Sequence, residues 1–444
     1  MNTSDTIAAP ATGIGGAVTI IRVSGPHSVE YASRVWQGKR SLLDAEPRKM
    51  YLGKVGGDPT LAVWMKSPAS YTGDDVVELQ CHGGAVAANS LLRALLSAGC
   101  RMAEPGEFTF RAFVNGKLDL AQAEAVADLI NSGSESAMHL AERQLAGTLS
   151  SRLDDLWNRI NHLRSECEAR LDFPDEELDF ETDLIEQCAA IKADMYSLLE
   201  TRESGARLRD GIDVVLAGRP NAGKSSLLNR LAGFDRAIVS DIPGTTRDTV
   251  EHDCSICGIP VHLTDTAGLR DSSDPIESLG IERSRRSIAA AQVTFWLLDA
   301  SSSELAQELD ELNDAHPQNV IAVWNKCDLV PDIELPHTPG IPSCRISAVN
   351  GSGIELLTEE FKKIVCNGKE SVSIPEFAVN ARMADALERG ISSIDQAVIQ
   401  LANEEFELAA CDLADASNSV GETTGKTTSC DLLDEVFHRF CLGK

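Results

Sequence analysis

Gly218-Arg219-Pro220-Asn221-Ala222-Gly223-Lys224-Ser225 stands directly after the apolar run Ile212-Asp213-Val214-Val215-Leu216-Ala217. The run predicts a buried strand, the glycines a tight loop, and Ser226-Leu227-Leu228-Asn229-Arg230-Leu231 the first turns of a helix. A G-x-x-x-x-G-K-S loop between strand and helix is a phosphate cradle. Its backbone N–H groups and the positive end of the helix attract phosphate oxygens. Lys224 is placed to reach the β- and γ-phosphate oxygens, as a binding and candidate catalytic residue. Ser225 is placed to bind Mg²⁺, and Ala222, Gly223 and Ser226 complete the cradle.

Three further elements follow in order. Ser240 and Asp241-Ile242-Pro243-Gly244-Thr245-Thr246-Arg247-Asp248 form a polar loop, in which Thr246 is the best second Mg²⁺ ligand. His262-Leu263-Thr264-Asp265-Thr266-Ala267-Gly268 ends a strand at Asp265, where a carboxylate supports Mg²⁺, and the Gly268 N–H can reach the γ-phosphate. Ile321-Ala322-Val323-Trp324-Asn325-Lys326-Cys327-Asp328 ends another buried strand. The Asp328 carboxylate can accept both N1–H and the 2-amino group of guanine, a pair adenine does not offer. Asn325 and Lys326 would buttress the base, and Ser347-Ala348 would close its pocket. The set points to GTP rather than ATP. Strands and helices alternate from Gly211 to about Asn367, the pattern of a doubly wound α/β domain.

One position departs from the Ras-like scheme, in which a Gln just after D-x-x-G orients the attacking water. Here that position is Leu269, and Glu277 is the candidate substitute. Charge developing on the phosphates also needs a cation. Arg219, Arg247 and Arg270 compete for that role, and a monovalent cation held by Asn221 and loop carbonyls is the alternative.

The chain has 444 residues, enough for two or three domains, and a net charge of -28. So acidic a balance argues against general electrostatic binding of nucleic acid. Twelve cysteines without a basic n-region at Met1-Asn2-Thr3-Ser4-Asp5 read as reduced thiols of a cytoplasmic protein. No apolar run reaches membrane-spanning length. Residues 1–117 read as a mixed strand and helix domain, with strands at Val18–Val23 and Asp75–Gln80 and a helix over Gly84–Ala98. Residues 118–209 and 371–444 read as two parts of one helical domain, the second interrupted by a polar, turn-rich Ala416–Cys430. The nucleotide domain, 210–370, is inserted between them.

Several motifs read as decoys. Gly421-Glu422-Thr423-Thr424-Gly425-Lys426-Thr427 imitates a phosphate loop but is one residue short and lacks a preceding strand. Cys254-Ser255-Ile256-Cys257, near His252 and His262, falls in an expected hairpin where its thiols point to opposite faces rather than to one zinc. Cys81-His82 lacks a third partner for a nucleophile and reads as a strand end before Gly83-Gly84.

With these motifs in place, nearly the whole chain resembles the MnmE (TrmE) family of tRNA modification GTPases. The resemblance rests on Asp5-Thr6-Ile7-Ala8-Ala9, Ile20-Ile21-Arg22-Val23-Ser24-Gly25, Tyr71-Thr72-Gly73-Asp74-Asp75, Glu78-Leu79-Gln80-Cys81-His82-Gly83-Gly84 and Pro105-Gly106-Glu107-Phe108-Thr109. It rests most specifically on the run from Arg111 to Ala125 and on the terminal Phe440-Cys441-Leu442-Gly443-Lys444. The opening loop, Pro10 to Gly16, is one residue shorter than that family's pattern and lacks its Pro-Gly-Arg.

The resemblance implies an N-terminal α+β domain that binds 5-formyltetrahydrofolate or a related tetrahydrofolate and mediates a homodimer. Arg22, Glu78, Lys117 and Lys444 would make the folate contacts. It implies a discontinuous helical domain and an inserted Ras-like G domain. That domain would use K⁺ in place of an arginine finger, at Asn221, Ser240, Ile242 and Thr245, with Glu277 as catalytic glutamate. Cys441 is a candidate catalytic thiol. The family works with the flavoprotein MnmG to install an aminomethyl or carboxymethylaminomethyl group at C5 of the tRNA wobble uridine. A regulatory GTPase switch in ribosome assembly is the rival reading; it calls for a basic RNA-binding appendage, and none is visible in the sequence.

Overall fold

Along Val18–Ser24 the side chains of Thr19, Ile21 and Val23 are buried while those of Ile20 and Arg22 are only partly covered, the period of two of a strand with one packed face. The computed structural model describes residues 3–172, 183–234, 251–265, 288–315, 319–332, 336, 338–366, 375–438 and 440–443. The chain divides into two compact units: Met1–Ala127 with Gln144–Ser197 and Ala381–Lys444, and Asp128–Arg143 with Leu198–Asn380.

The first unit opens with β1 (Ile7–Pro10), β2 (Val18–Ser24), α1 (Ser28–Val35), β3 (Gln37–Gly38), β4 (Met50–Val55), β5 (Asp58–Met65), β6 (Val76–His82), α2 (Ala85–Ala98), β7 (Arg101–Met102) and α3 (Glu107–Val114). The strands form one sheet of order β3-β4-β5-β6-β2-β1-β7, antiparallel except for the β1–β7 pair. Ile21, Val23, Val77 and Leu79 bury one face beneath α1 and α2 together with Leu91 and Leu95. Arg111 of α3 is fully buried and donates to the Asp5 backbone oxygen at 2.8 Å and to Asp5 Oδ1 at 2.7 Å. Arg101 adds two bonds each to Asp5 and Glu107, so the start of the chain is clamped against α3. The hydrogen bond from Arg101 outweighs burial and holds the Asp5 carboxyl below its usual range.

Helices follow: α4 (Leu120–Asn131), α5 (Glu135–Leu145), α6 (Thr148–Asp172), α7 (Leu184–Leu199) and α8 (Arg202–Asp210). In α6 the buried residues Leu149, Leu153, Leu156, Ile160, Leu163 and Cys167 recur every three or four positions, one apolar stripe.

The α/β part comprises β8 (Ile212–Gly218), α9 (Lys224–Phe234), β9 (Glu251–Ile256), β10 (Ile259–Asp265), β11 (Val293–Asp299), α10 (Leu305–Ala315), β12 (Val320–Asn325), β13 (Ser343–Arg345) and α11 (Ile354–Val365). Its sheet order is β13-β12-β11-β8-β10-β9, parallel except for the β9 edge. Strands β11 and β12 are buried almost throughout, as a sheet covered on both faces requires.

The chain closes with α12 (Ala381–Ala402), α13 (Phe406–Thr424) and α14 (Cys430–His438). The expected interruption at Ala416–Cys430 is corrected: α13 continues to Thr424 and only then turns, at Gly425 in the left-handed region. The small polar residues that suggested turns are packed helix positions. Ser417, Ser419 and Thr423 are buried, and Thr423 Oγ1 donates back to the Val420 oxygen at 2.6 Å. A Cβ on Gly421 would lie 3.2 Å from Trp157 Nε1 of α6, so absence of a side chain there lets the two helices approach.

The C-terminal segment packs on α3, with Phe437 edge-on to Phe110 at 5.3 Å between centroids and Phe440 beside it. Gly106, at φ +72°, makes this possible, because a Cβ there would sit 2.3 Å from the Phe437 carbonyl oxygen. Replacing Gly106 by Ala combines left-handed strain with a backbone clash. It is expected to cost roughly 1–3 kcal/mol. A lowered unfolding temperature with faster proteolysis of the last ten or so residues would register it.

Candidate nucleotide-binding site

Strand β8 lies between β10 and β11, and the chain leaving β8 runs to the β10 side whereas the chain leaving the neighbouring β11 runs to β12 on the other side. In such sheets ligands sit at that crevice. The Gly218–Ser225 loop occupies it, between β8 and α9. Gly218, at φ +129°, brings the backbone so close to β11 that a Cβ would lie 2.3 Å from the Leu297 oxygen. Asn221 adopts φ +62°, which Asn tolerates better than other side chains, and its side chain is exposed on the rim. Gly223 is at φ +98°, and a Cβ on it would lie 2.1 Å from Asn325 Nδ2.

Lys224 is buried and its Nζ donates to the Gly218 and Arg219 oxygens at 2.9 Å each, spanning the loop it closes. Ser225 Oγ donates to Asp265 Oδ2 at 3.1 Å. A hydroxyl and a carboxylate side by side are hard oxygen donors of the kind Mg²⁺ takes alongside phosphate oxygens. The end of β10 supplies that carboxylate, as the run ending at Asp265 suggested.

The base side is built on Asn325, 2% exposed at the end of β12. Its Nδ2 donates to the Ala222 oxygen at 2.8 Å, and its Oδ1 accepts the Ala348 N–H at 3.0 Å. Lys326, at φ +63°, pairs with Asp299 Oδ2 at 2.6 Å. Burial pushes the Asp299 carboxyl up, but hydrogen bonds from Lys326 and Ser301 prevail and hold it below its usual range. Asp328 is exposed, with its carboxylate on the same turn. Ser347 and Ala348 are buried, and the Ser347 N–H and oxygen are tied to Ser352 and Gly351 at 2.8 Å each.

Arg219 is committed elsewhere. It donates to Glu304 at 2.6 Å, to Glu311 at 2.8 and 3.0 Å and to Gln307 at 3.3 Å, all at or in α10. Among the three arginines that competed for a phosphate role, it anchors the loop to α10. Asp299 and Glu308 were missed by sequence reasoning. Buried Glu308 accepts the Asp299 N–H at 3.1 Å and so backs the Lys326 partner. The signal was present for Asp299, an acid closing the apolar run Val293–Leu298 just as Asp265 closes its own.

Ser240, Asp241, Ile242, Pro243, Gly244, Thr245, Thr246, Thr266, Ala267, Gly268, Glu277 and Lys444 lie outside the described residues. In the first unit, Arg22 and Glu78 are cross-strand partners joined at 3.0 Å. The Arg22 guanidinium stands 5.2 Å from the Tyr71 ring and 5.6 Å from that of Phe108. Lys117 donates to the Pro68 oxygen at 3.2 Å and Cys441 is exposed. Gly443 lies against the opening loop, where a Cβ would meet the Pro10 oxygen at 1.9 Å.

The decoys resolve into ordinary structure. Gly421–Thr427 ends helix α13. Cys254 is buried in β9, whereas Cys257 occupies the following turn at φ +54°. Burial raises the Cys81 thiol above its usual range, and His82 pairs with Asp58 at 2.5 Å.

Comparison with known proteins agrees along the chain. Residues 6–117 match the GTP-binding protein TrmE N-terminus, and residues 120–441 match the MnmE helical domain. A tRNA modification GTPase MnmE from Clostridioides difficile is 38% identical over 99% of both chains. Those of Natranaerobius thermophilus and Ectopseudomonas mendocina are 39% and 42% identical, over 100% and 99% of both chains. The chain belongs to the MnmE family of tRNA modification GTPases. The MnmE helical match begins before β8 and ends after α11, so the helical domain is discontinuous and the G domain is inserted in it. No helix among the described residues is long and apolar enough to cross a membrane.

The contact between Gly223 and Asn325 gives a sharp test. Gly223→Ala is expected to drive Asn325 off the Ala222 oxygen and to weaken GDP binding at least a hundredfold, a loss of about 3 kcal/mol. Titration calorimetry with GDP checks it; wild-type affinity would contradict the close packing.

Proposed function

We propose that this chain hydrolyses GTP to drive modification of C5 of the tRNA wobble uridine, with the flavoprotein MnmG and a tetrahydrofolate one-carbon unit. The observation that carries the reading is full-length similarity to MnmE proteins on a chain whose Ser225–Asp265 and Ala222–Asn325–Ala348 bonds support a guanine nucleotide site. A homodimer, a cytoplasmic setting and tRNA contact through the complex belong to the same reading. The acidic net charge favours a partner that supplies most of the basic surface.

Within the G domain, Lys224 would exchange two loop carbonyls for phosphate oxygens. Ser225 and Thr246 would hold Mg²⁺, which offsets phosphate charge, with the Asp265 carboxylate supporting it through the Ser225 hydroxyl. K⁺ would be held by Asn221, Ser240, Ile242 and Thr245; the exposed, left-handed Asn221 and the engagement of Arg219 by Glu304 and Glu311 support a cation in place of that arginine. Glu277 would orient the attacking water in the absence of a Gln at Leu269. Asp328 would read guanine, with Asn325, Lys326, Ser347 and Ala348 shaping its pocket.

In the N-terminal domain, Arg22, Glu78, Lys117 and Lys444 would hold the folate. The paired Arg22 and Glu78 beside Tyr71 and Phe108 offer a cation, a carboxylate and aromatic faces, groups that suit a pterin ring and its glutamyl tail. Cys441, exposed near the opening loop, would be the thiol at the reaction centre.

Three measurements test this. Mass spectrometry of wobble uridines should show the modification lost when the gene is deleted and restored by the intact chain; unaltered uridines would overturn the assignment. Glu277→Ala should lower GTP turnover by about two to four orders of magnitude with GTP affinity nearly intact. Exchange of K⁺ for Na⁺ should slow turnover, and rates indifferent to the cation would rule out the potassium role.

A further inference from the structure

Helix α9 begins at Lys224, and Arg230 leaves it less than two turns later on the side of the 347–351 loop. Its Nε donates to the Ala348 oxygen at 3.2 Å and its Nη2 to the Val349 oxygen. One guanidinium therefore holds two successive carbonyls of the loop whose Ala348 N–H is bonded to Asn325. The loop's other hydrogen bonds within the described residues are short-range, from Ser347 to Gly351, Ser352 and Asn350; Ala348 is buried in the core, and Val349 is exposed. The side chain borders an open pocket of about 280 Å³ with Ser226, Asn229, Gly233 and Ala348, so its truncation leaves no sealed cavity.

We propose that Arg230 is a positioning residue for guanine recognition, tying the helix that opens at the phosphate loop to the loop that borders the base. The inference rests on the reading of Asn325, Asp328, Ser347 and Ala348 as the base pocket. A planar fork fixes two peptide planes at once, which a lysine, a single point donor, does not. Because α9 also carries Lys224 and Ser225, base and phosphate contacts share one rigid element. The chemical class read through this clamp is the purine, not the phosphates.

The test uses the full-length chain. Displacement of fluorescent GDP measures dissociation, calorimetry with tripolyphosphate measures phosphate binding without a base, and ligand-free unfolding temperature controls for folding. Arg230→Ala should speed GDP dissociation about tenfold, the loss of a hydrogen bond from a charged donor at the low end of its range. Tripolyphosphate affinity should not change, and Arg230→Lys should fall in between. Unchanged GDP dissociation overturns the proposal, as does an equal loss for tripolyphosphate, which would make Arg230 a support of the phosphate loop alone. Should Arg230→Ala lower the unfolding temperature, Arg230→Lys decides by the same two readouts. Asp328→Asn is measured in parallel with GDP and xanthosine diphosphate. If it does not shift preference towards xanthine, the base-pocket reading itself falls; if it does and Arg230→Ala is silent, only the clamp falls.

Discussion

The buried amide of Asn325 joins three loops that are distant in sequence, donating to Ala222 and accepting from Ala348. A buried amide has both donors and acceptors to satisfy, and an unmet one costs about 1–3 kcal/mol. Here each partner is a backbone group, so the amide fixes where the phosphate loop and the base loop lie. Gly223 follows from that constraint: with φ +98° and Asn325 Nδ2 at the place of a Cβ, no side chain fits. The candidate guanine site is therefore a property of strand ends brought together by a parallel sheet, not of the loop at Gly218–Ser225 alone.

Charge is managed at those strand ends by pairing. Asp265 takes the Ser225 hydroxyl, Asp299 takes Lys326, and Arg219 takes Glu304 and Glu311. Arg219 thereby moves from a possible phosphate ligand to an anchor of the loop on α10. The N-terminal domain uses the same device where it buries Arg111 against Asp5 and Glu107. A buried guanidinium is tolerated only with such partners, and this one fastens the first residues of the chain to α3.

Much of this was legible from residue order. Strands β2, β6, β8, β10 and β12 announce themselves by alternation or by unbroken apolar runs, and the motif residues fall at their ends. The polar stretch Ala416–Thr424 was misread because Ser, Thr and Gly favour turns locally. Packed between α6 and α12 they serve as small helix positions, with the Thr423 hydroxyl bonded back to the helix. Asp299 escaped notice because its partner, Lys326, is near it only across the sheet, and Glu308 because it acts only through Asp299. The pairing of Arg22 with Glu78 was likewise invisible until β2 and β6 were in register.

By itself the sequence determined the nucleotide chemistry: a G-x-x-x-x-G-K-S loop after a strand, an acid at the end of another, and Asn-Lys-x-Asp at the end of a third. These are local patterns, set by which residues can cradle phosphate or read guanine. Only the tertiary structure decided which side chains hold those patterns in place. Asn325, Arg230, Arg219 and Asp299 act on backbone or charge between 23 and 119 positions away, and distances of that kind are set by sheet order and helix packing, which no local pattern encodes.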